Sequence, residues 1–252
     1  MPSPFLNWRR PKNESPARHR ASRRRCRSVH TRRAWRPVAG LALALGLLIL
    51  FARAEATAAE LFNGRDFTGW TFYMRSNAAP ARTWSIRDGV IHCAGKPPGY
   101  LRTEKSYHDY HLTVEWRFVK VAPHANNTGI LIHMQPPDAV WPRCIECQGQ
   151  SGKQGDFWLQ SGATAEGHPA NGRKAVHVPM TAAPNEKPVG EWNTYEVVAH
   201  GNTVETMVNG RAMNRITGCN VAAGCIGFQS EGAEIEIRRV RLEPWSDPSR
   251  TK

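Results

Sequence analysis

Long hydrophobic runs are scarce in this chain of 252 residues. The longest covers residues 38–51 and is 14 residues long, whereas a spanning helix needs about 20. A second pair of Cys or His at zinc-finger spacing is also missing. Cys144 and Cys147 form a lone C-x-x-C. On a strand, two residues three apart point to opposite faces, which argues against a metal or redox pair. Helix-period patterning is weak throughout. Outside the N-terminal region, so is any excess of charge. Residues 1–59 hold 13 Lys and Arg against 2 Asp and Glu, while residues 60–252 hold 21 against 19. The formal charge of +13 is therefore an N-terminal property, and the main body has no footprint of a nucleic-acid binder.

The N-terminal region reads as an export signal over residues 1–58. A short apolar run is followed by Ala56-Thr57-Ala58, a small-x-small cleavage pattern that starts the mature chain near Ala59. Thr31-Arg32-Arg33-Ala34-Trp35-Arg36 precedes the run and is similar to a twin-arginine signal. The general secretory route and an uncleaved anchor are the alternatives, and translation from Val29 would shorten an overlong leader. The expectation is a protein of the periplasm or cell envelope with no stable membrane span after cleavage. Its oligomeric state is open.

Residues 60–246 are one domain's worth of chain, followed by a short tail, 247–252. Five cysteines remain after the signal, an odd number for an exported protein. Cys219 and Cys225 bracket a five-residue segment and are the expected disulfide.

Short alternating runs separated by Gly, Pro and Asn predict an all-β sandwich. Asp88-Gly89 predicts one hairpin turn, Gly201-Asn202 a second, and Asn209-Gly210 a third. The long stretch 148–191 predicts loops over one face, with one strand near Phe157. Such loops on a rigid sandwich are where function concentrates.

Three runs present polar side chains opposite an apolar set. In 112–118 the polar set is Thr113, Glu115 and Arg117. In 129–134, Ile130, Ile132 and Met134 share one face, leaving Leu131 and His133 on the other. In 142–149, Glu146 and Gln148 oppose Ile145 and Cys147. The expectation is a shared polar face carrying an acid, a base, an amide and a cation, with Glu146 within a sheet-width of His133.

The order of several motifs carries a resemblance. Leu61-Phe62-Asn63-Gly64-Arg65-Asp66-Phe67-Thr68-Gly69-Trp70 opens the domain. Asn127-Thr128-Gly129-Ile130, Ile145-Glu146-Cys147-Gln148, Glu191-Trp192-Asn193, Val208-Asn209-Gly210-Arg211 and Gly227-Phe228-Gln229-Ser230-Glu231-Gly232 follow. Over residues 60–245 this resembles the 3-keto-disaccharide hydrolase-like domain family. The resemblance implies a concanavalin-like jelly-roll sandwich of two antiparallel sheets. It also implies cleavage of glycosides already oxidised at C3. Glu231 stands where the family often has His, which puts a catalytic role for it in doubt.

Candidate roles follow from the chemistry of such a substrate. A ketone at C3 acidifies the hydrogen on C2, so elimination needs a base and a stabiliser for the enolate oxygen. Glu146 and His133 are the candidate catalytic residues. Arg117 suits the oxyanion and Glu115 shares its face. Gln148 and Asn127 suit sugar hydroxyls, and Trp158 and Tyr100 suit stacking on a sugar face. Phe157 and Leu159 take the opposite parity to Trp158. Glu146 has Cys144 and Gln148 as same-face neighbours, so two carboxylates at alternate positions on one strand are not found. No cofactor is expected. Calcium through Asp138 and Asp156 is conceivable, but no ligand spacing argues for it. A lectin-like binding module and an envelope scaffold are the alternative functions, since this fold serves many.

Overall fold

The computed structural model describes residues 57–121 and 126–247. The export-signal reading therefore lies outside the described residues up to residue 56, and the tail from residue 248. Fifteen strands make up almost all the regular structure: β1 (Ala59–Glu60), β2 (Trp70–Met74), β3 (Trp84–Arg87), β4 (Val90–Cys93), β5 (Gly99–Thr103), β6 (Tyr110–Phe118), β7 (Gly129–Gln135), β8 (Arg143–Gln148), β9 (Phe157–Gln160), β10 (Ala175–Val178), β11 (Asn193–His200), β12 (Thr203–Val208), β13 (Arg211–Ile216), β14 (Cys225–Ser230) and β15 (Ile235–Pro244). No helix among the described residues is long and apolar enough to cross a membrane.

The strands form two antiparallel sheets. One runs β13-β12-β11-β6-β15-β4-β3, with β1 on β15, and the other runs β10-β9-β8-β7-β14-β5-β2. Alternation explains how they meet. Leu112, Val114, Trp116 and Phe118 of the first sheet share one buried cluster with Ile130, Ile132, Ile145, Cys147, Phe157 and Leu159 of the second. A one-residue slip would turn such a set outward. Each large apolar side chain so exposed would forfeit about 1.5–3 kcal/mol, so the register is firmly set.

The predicted turns form as expected. Asp88 (φ 49°) and Gly89 (φ 75°) join β3 to β4, and Asn209 (φ 49°) and Gly210 (φ 78°) join β12 to β13. Positive φ at both central positions matches the right-handed twist of the strands they connect. Gly201 (φ 53°) lies in the turn between β11 and β12. The stretch 148–191 holds β9 near Phe157, and also β10, which its weak alternation did not announce.

Two expectations about shared faces fail. β6 lies in the first sheet, whereas β7 and β8 lie in the second. Glu115 and Arg117 thus face away from the core on the opposite side of the sandwich. There Glu115 pairs with Arg238 at 2.6 Å and Arg239 at 3.5 Å. Arg117 pairs with Glu236 at 2.6 Å and lies 4.5 Å from the Trp192 ring centroid.

His133 is turned inward by a bulge. Ile132 pairs with Ile145 and Gln135 with Arg143, so His133 and Met134 together oppose Cys144. Two residues against one is a β-bulge, and it reverses the parity beyond it. His133 takes φ 52°. Its ring lies 5.8 Å from that of Tyr110 of the other sheet, and its Nδ1 bonds the Val221 carbonyl at 3.1 Å. Met134 instead joins Leu131, Tyr100 and Cys144 in a second small cluster. Gly224 makes room for the bulge, since a Cβ there would come 2.4 Å from the His133 carbonyl carbon.

The Cys219–Cys225 disulfide is also corrected: both are free thiols. Cys219 is buried in the main core, whereas Cys225 packs beside the second cluster. The short link between them crosses from one environment to the other. Cys144 and Cys147 point to opposite faces of β8, as strand geometry requires.

Candidate functional site

The outer face of the second sheet carries a cleft of about 620 Å³. Glu146 and Gln148 form part of its lining, with Trp158 and Gln160 from β9. Glu146 pairs in register with Leu131 on one side and Trp158 on the other, so all three point away from the core. Trp141, Asn127, Gln150, Lys174 and Glu231 come from connecting segments.

The loop between β7 and β8 is fastened at both ends. Asp138 accepts two hydrogen bonds from Arg102, at 2.9 and 2.8 Å, and one from the Tyr100 hydroxyl at 2.8 Å. Ser161 donates to the Trp141 carbonyl at 2.8 Å. This holds Trp141, 45% exposed, at the edge of the cleft. Tyr100 is fully buried, and its ring stacks on Tyr73 at 5.3 Å. It braces the loop and presents no face for a sugar.

Glu146 is 3% exposed. Burial comes first in pushing its carboxyl from an ordinary 4.5 up to about 8, and the nearby charge of Glu231 adds to the rise. Gln160 Nε2 donates to Glu146 Oε2 at 2.7 Å, and a Gln229 side-chain bond also favours the charged form. Burial also raises Glu231. Two carboxyl groups from different segments thus share one cleft, and burial raises both above the ordinary carboxylate value.

Gly129 permits this arrangement. A Cβ there would lie 2.5 Å from Gln229 Oε1 and 2.9 Å from Glu146 Oε1. The amides are also directional. Gln148 Oε1 accepts the backbone N–H groups of Gly149 and Gln150 at 2.8 and 2.9 Å. Its Nε2 hydrogens are left for an acceptor in the cleft. Asn127 Oδ1, in the lining of the cleft, is a buried acceptor without a partner, a costly state that a ligand hydroxyl would relieve. Trp158 stacks on His177 at 4.6 Å, and His177 Nε2 lies 2.6 Å from Asp156 Oδ2.

The cleft therefore gathers Glu146, Gln148, Asn127 and Trp158, and leaves out His133, Arg117, Glu115 and Tyr100. Sequence reasoning missed Gln160, Gln229, Trp141 and Lys174, and set Glu231 aside. Gln160 carried a usable signal, having the same parity as Trp158 two residues on. Asp138 is held by Arg102 and Tyr100. Asp156 is held by His177 and by the Met180 N–H at 2.8 Å. No group of three His, Cys, Asp or Glu able to hold a metal ion occurs among the described residues.

A two-sheet antiparallel sandwich with a polar, tryptophan-lined cleft on one outer face is a concanavalin-like β-sandwich of the kind seen in glucanases. Residues 57–243 match the model of the 3-keto-alpha-glucoside-1,2-lyase-like domain, and the chain belongs to that family. No curated protein matches it. Among solved structures, a candidate glycosyl hydrolase from Parabacteroides distasonis is similar at 21% identity and a TM-score of 0.54, over 75% of this chain and 94% of that one. The β-glucanase of Bacillus licheniformis is similar at 13% identity and a TM-score of 0.50, over 75% and 98% of the two chains. The carbohydrate-binding module CBM66 from Bacillus subtilis is similar at 13% identity and a TM-score of 0.50, over 69% and 95%. At these identities the likeness is one of fold. Family membership and the cleft together support action on carbohydrate.

Proposed function

We propose that this protein cleaves 3-keto-glycosides by elimination, followed by addition of water. One observation carries the reading: a buried carboxyl raised to about 8 faces a cleft with a second carboxyl and aromatic walls. A base of raised pKa is better matched to a carbon acid beside a ketone than an ordinary carboxylate is.

In this reading Glu146, ionised, takes the proton from C2. The C2–H electron pair forms the enolate with the C3 oxygen, which Gln148 Nε2 and Lys174 stabilise. The enolate collapses, and the C1–O bond breaks with its electron pair leaving on the glycosidic oxygen. The proton that Glu146 took from C2 passes to that oxygen. Water then adds across the double bond, with its oxygen at C1 and a proton at C2, to give the free 3-keto sugar. Trp158 stacks on the sugar face, and Asn127 accepts a hydroxyl.

The reaction is proposed to need no resident cofactor, which turnover with and without chelator checks. We also place the protein in the cell envelope after export, by the twin-arginine or general secretory route. Sequencing the N-terminus of envelope material tests this, and an intact chain upstream of Arg53 would refute it.

The deciding experiment follows release of free sugar from a 3-keto-disaccharide and from its unoxidised parent. Release from the oxidised sugar alone supports the reading. Binding without release favours a lectin-like module, and neither favours a scaffold. Running in deuterium oxide adds a mechanistic check, because elimination and rehydration exchange the C2 hydrogen whereas direct hydrolysis does not.

A further inference from the structure

A second pocket, of about 440 Å³, is lined by Arg75, Arg82 and Lys96 and by no carboxylate. The three cations come from separate stretches that the β2–β5 pairing brings together. Arg75 follows β2, Arg82 ends a short 3-10 turn (Pro80–Arg82), and Lys96 precedes β5. Their backbones are tied. The Arg75 N–H donates to the Pro98 carbonyl at 2.9 Å, and Thr83 Oγ1 donates to the Lys96 carbonyl at 3.0 Å. Ser76 and Asn77 take φ of 57° and 52°, left-handed backbone that residues other than glycine seldom adopt.

Charge makes the pocket unusual. On the outer face of the other sheet, Arg238, Arg239 and Arg241 each meet a carboxylate. Among the described residues, Arg75, Arg82 and Lys96 form no ion pair. Three like charges around one concavity repel each other unless an anion sits between them.

The pocket also adjoins the main cleft. The Arg75 guanidinium lies 5.6 Å from the centroid of the Trp141 ring, and Trp141 lines the cleft. A sugar stacked on this exposed indole can extend a substituent towards the three cations.

We propose that this basic pocket is a subsite for an anionic group, so that the glycosides taken by the cleft carry a carboxylate or a sulfate. The proposal rests on reading the cleft as a glycoside site. Its chemistry is that of charge-assisted hydrogen bonds from guanidinium and ammonium to an oxyanion.

Calorimetry tests it with four probes: a uronate-containing disaccharide, its sulfated analogue, the neutral disaccharide and inorganic sulfate. At low salt, at least one acidic disaccharide is expected to bind about tenfold tighter than the neutral one. Added salt should shrink that advantage. The double variant Arg82→Gln with Lys96→Gln should abolish it, while leaving affinity for the neutral sugar and turnover of a neutral 3-keto-glycoside unchanged. The two acidic arms distinguish carboxylate from sulfate recognition. Equal affinity for neutral and acidic sugars would overturn the subsite, as would an advantage that survives the double substitution. Inorganic sulfate binding as tightly as the sulfated sugar would also overturn it, by separating the anion site from the cleft. Turnover of the neutral 3-keto-glycoside by the parent protein is measured alongside. Its absence counts against the chemistry of the cleft and leaves the acidic preference to be decided by binding.

Discussion

Replacing Glu146 by Gln perturbs the cleft least in shape and most in charge. The Gln side-chain oxygen can still accept the 2.7 Å bond from Gln160, but it cannot take a proton. Two quantities should change. The first is stability against pH. The carboxyl is raised from 4.5 to about 8 in the folded protein, so the native state holds its proton more tightly than the unfolded chain does. That contribution is fully present below pH 4.5. It is lost progressively as pH rises to about 8, and constant beyond. At about 1.4 kcal/mol per pKa unit, the loss is on the order of 5 kcal/mol. Urea unfolding at pH 5, 7 and 9 should therefore show the parent weakening with pH and the variant weakening much less. The second quantity is turnover. Only the ionised form is a base, so the parent's kcat should climb from neutral pH and level off above about 8. Glu146→Gln should lower it about 10²–10⁴-fold, with a much smaller change in binding. Equal pH-dependent weakening in both proteins would refute the burial argument. Near-normal turnover in a folded Glu146→Gln would remove this residue from the mechanism.

Four further outcomes are expected. Gln160→Ala removes a bond that favours the charged form, so the rise of kcat should move to higher pH, measurable in a pH–rate profile. Trp158→Ala should raise KM about tenfold with a smaller effect on kcat, since stacking contributes mainly to binding. Gly129→Ala forces a methyl against Gln229 and Glu146, at 2.5 and 2.9 Å. It should cost about 1–3 kcal/mol in urea unfolding and most of the activity. Arg117→Ala lies on the opposite face of the sandwich and should leave kcat/KM unchanged within about twofold.

Much of the fold was legible in the sequence because strand periodicity and turn chemistry are local. The alternation in 112–118 placed Leu112, Val114, Trp116 and Phe118 in the core, and Asp88-Gly89 and Asn209-Gly210 announced their turns through positive φ. The placement of Glu146 and Gln148 on one face followed from β8 being regular to its end. β10 was not legible, because Ala175–Val178 is only four residues long and carries a single polar residue, although Val176 and Val178 are buried and His177 is exposed in the fold.

What the sequence by itself determined is which residues alternate, where the chain turns, and hence that Glu146, Gln148 and Trp158 point away from the core. Tertiary structure alone decided which alternating runs share a sheet. That choice rests on pairing between strands far apart in the chain, and it sent Glu115 and Arg117 to the opposite side. It also decided the bulge, where one extra residue on β7 turned His133 into the core against Tyr110. Burial decided the rest. Glu146 is an ordinary carboxylate in the sequence, and it is pushed up to about 8 only because the fold buries it and brings Glu231 near, against the bonds from Gln160 and Gln229 that favour its charged form.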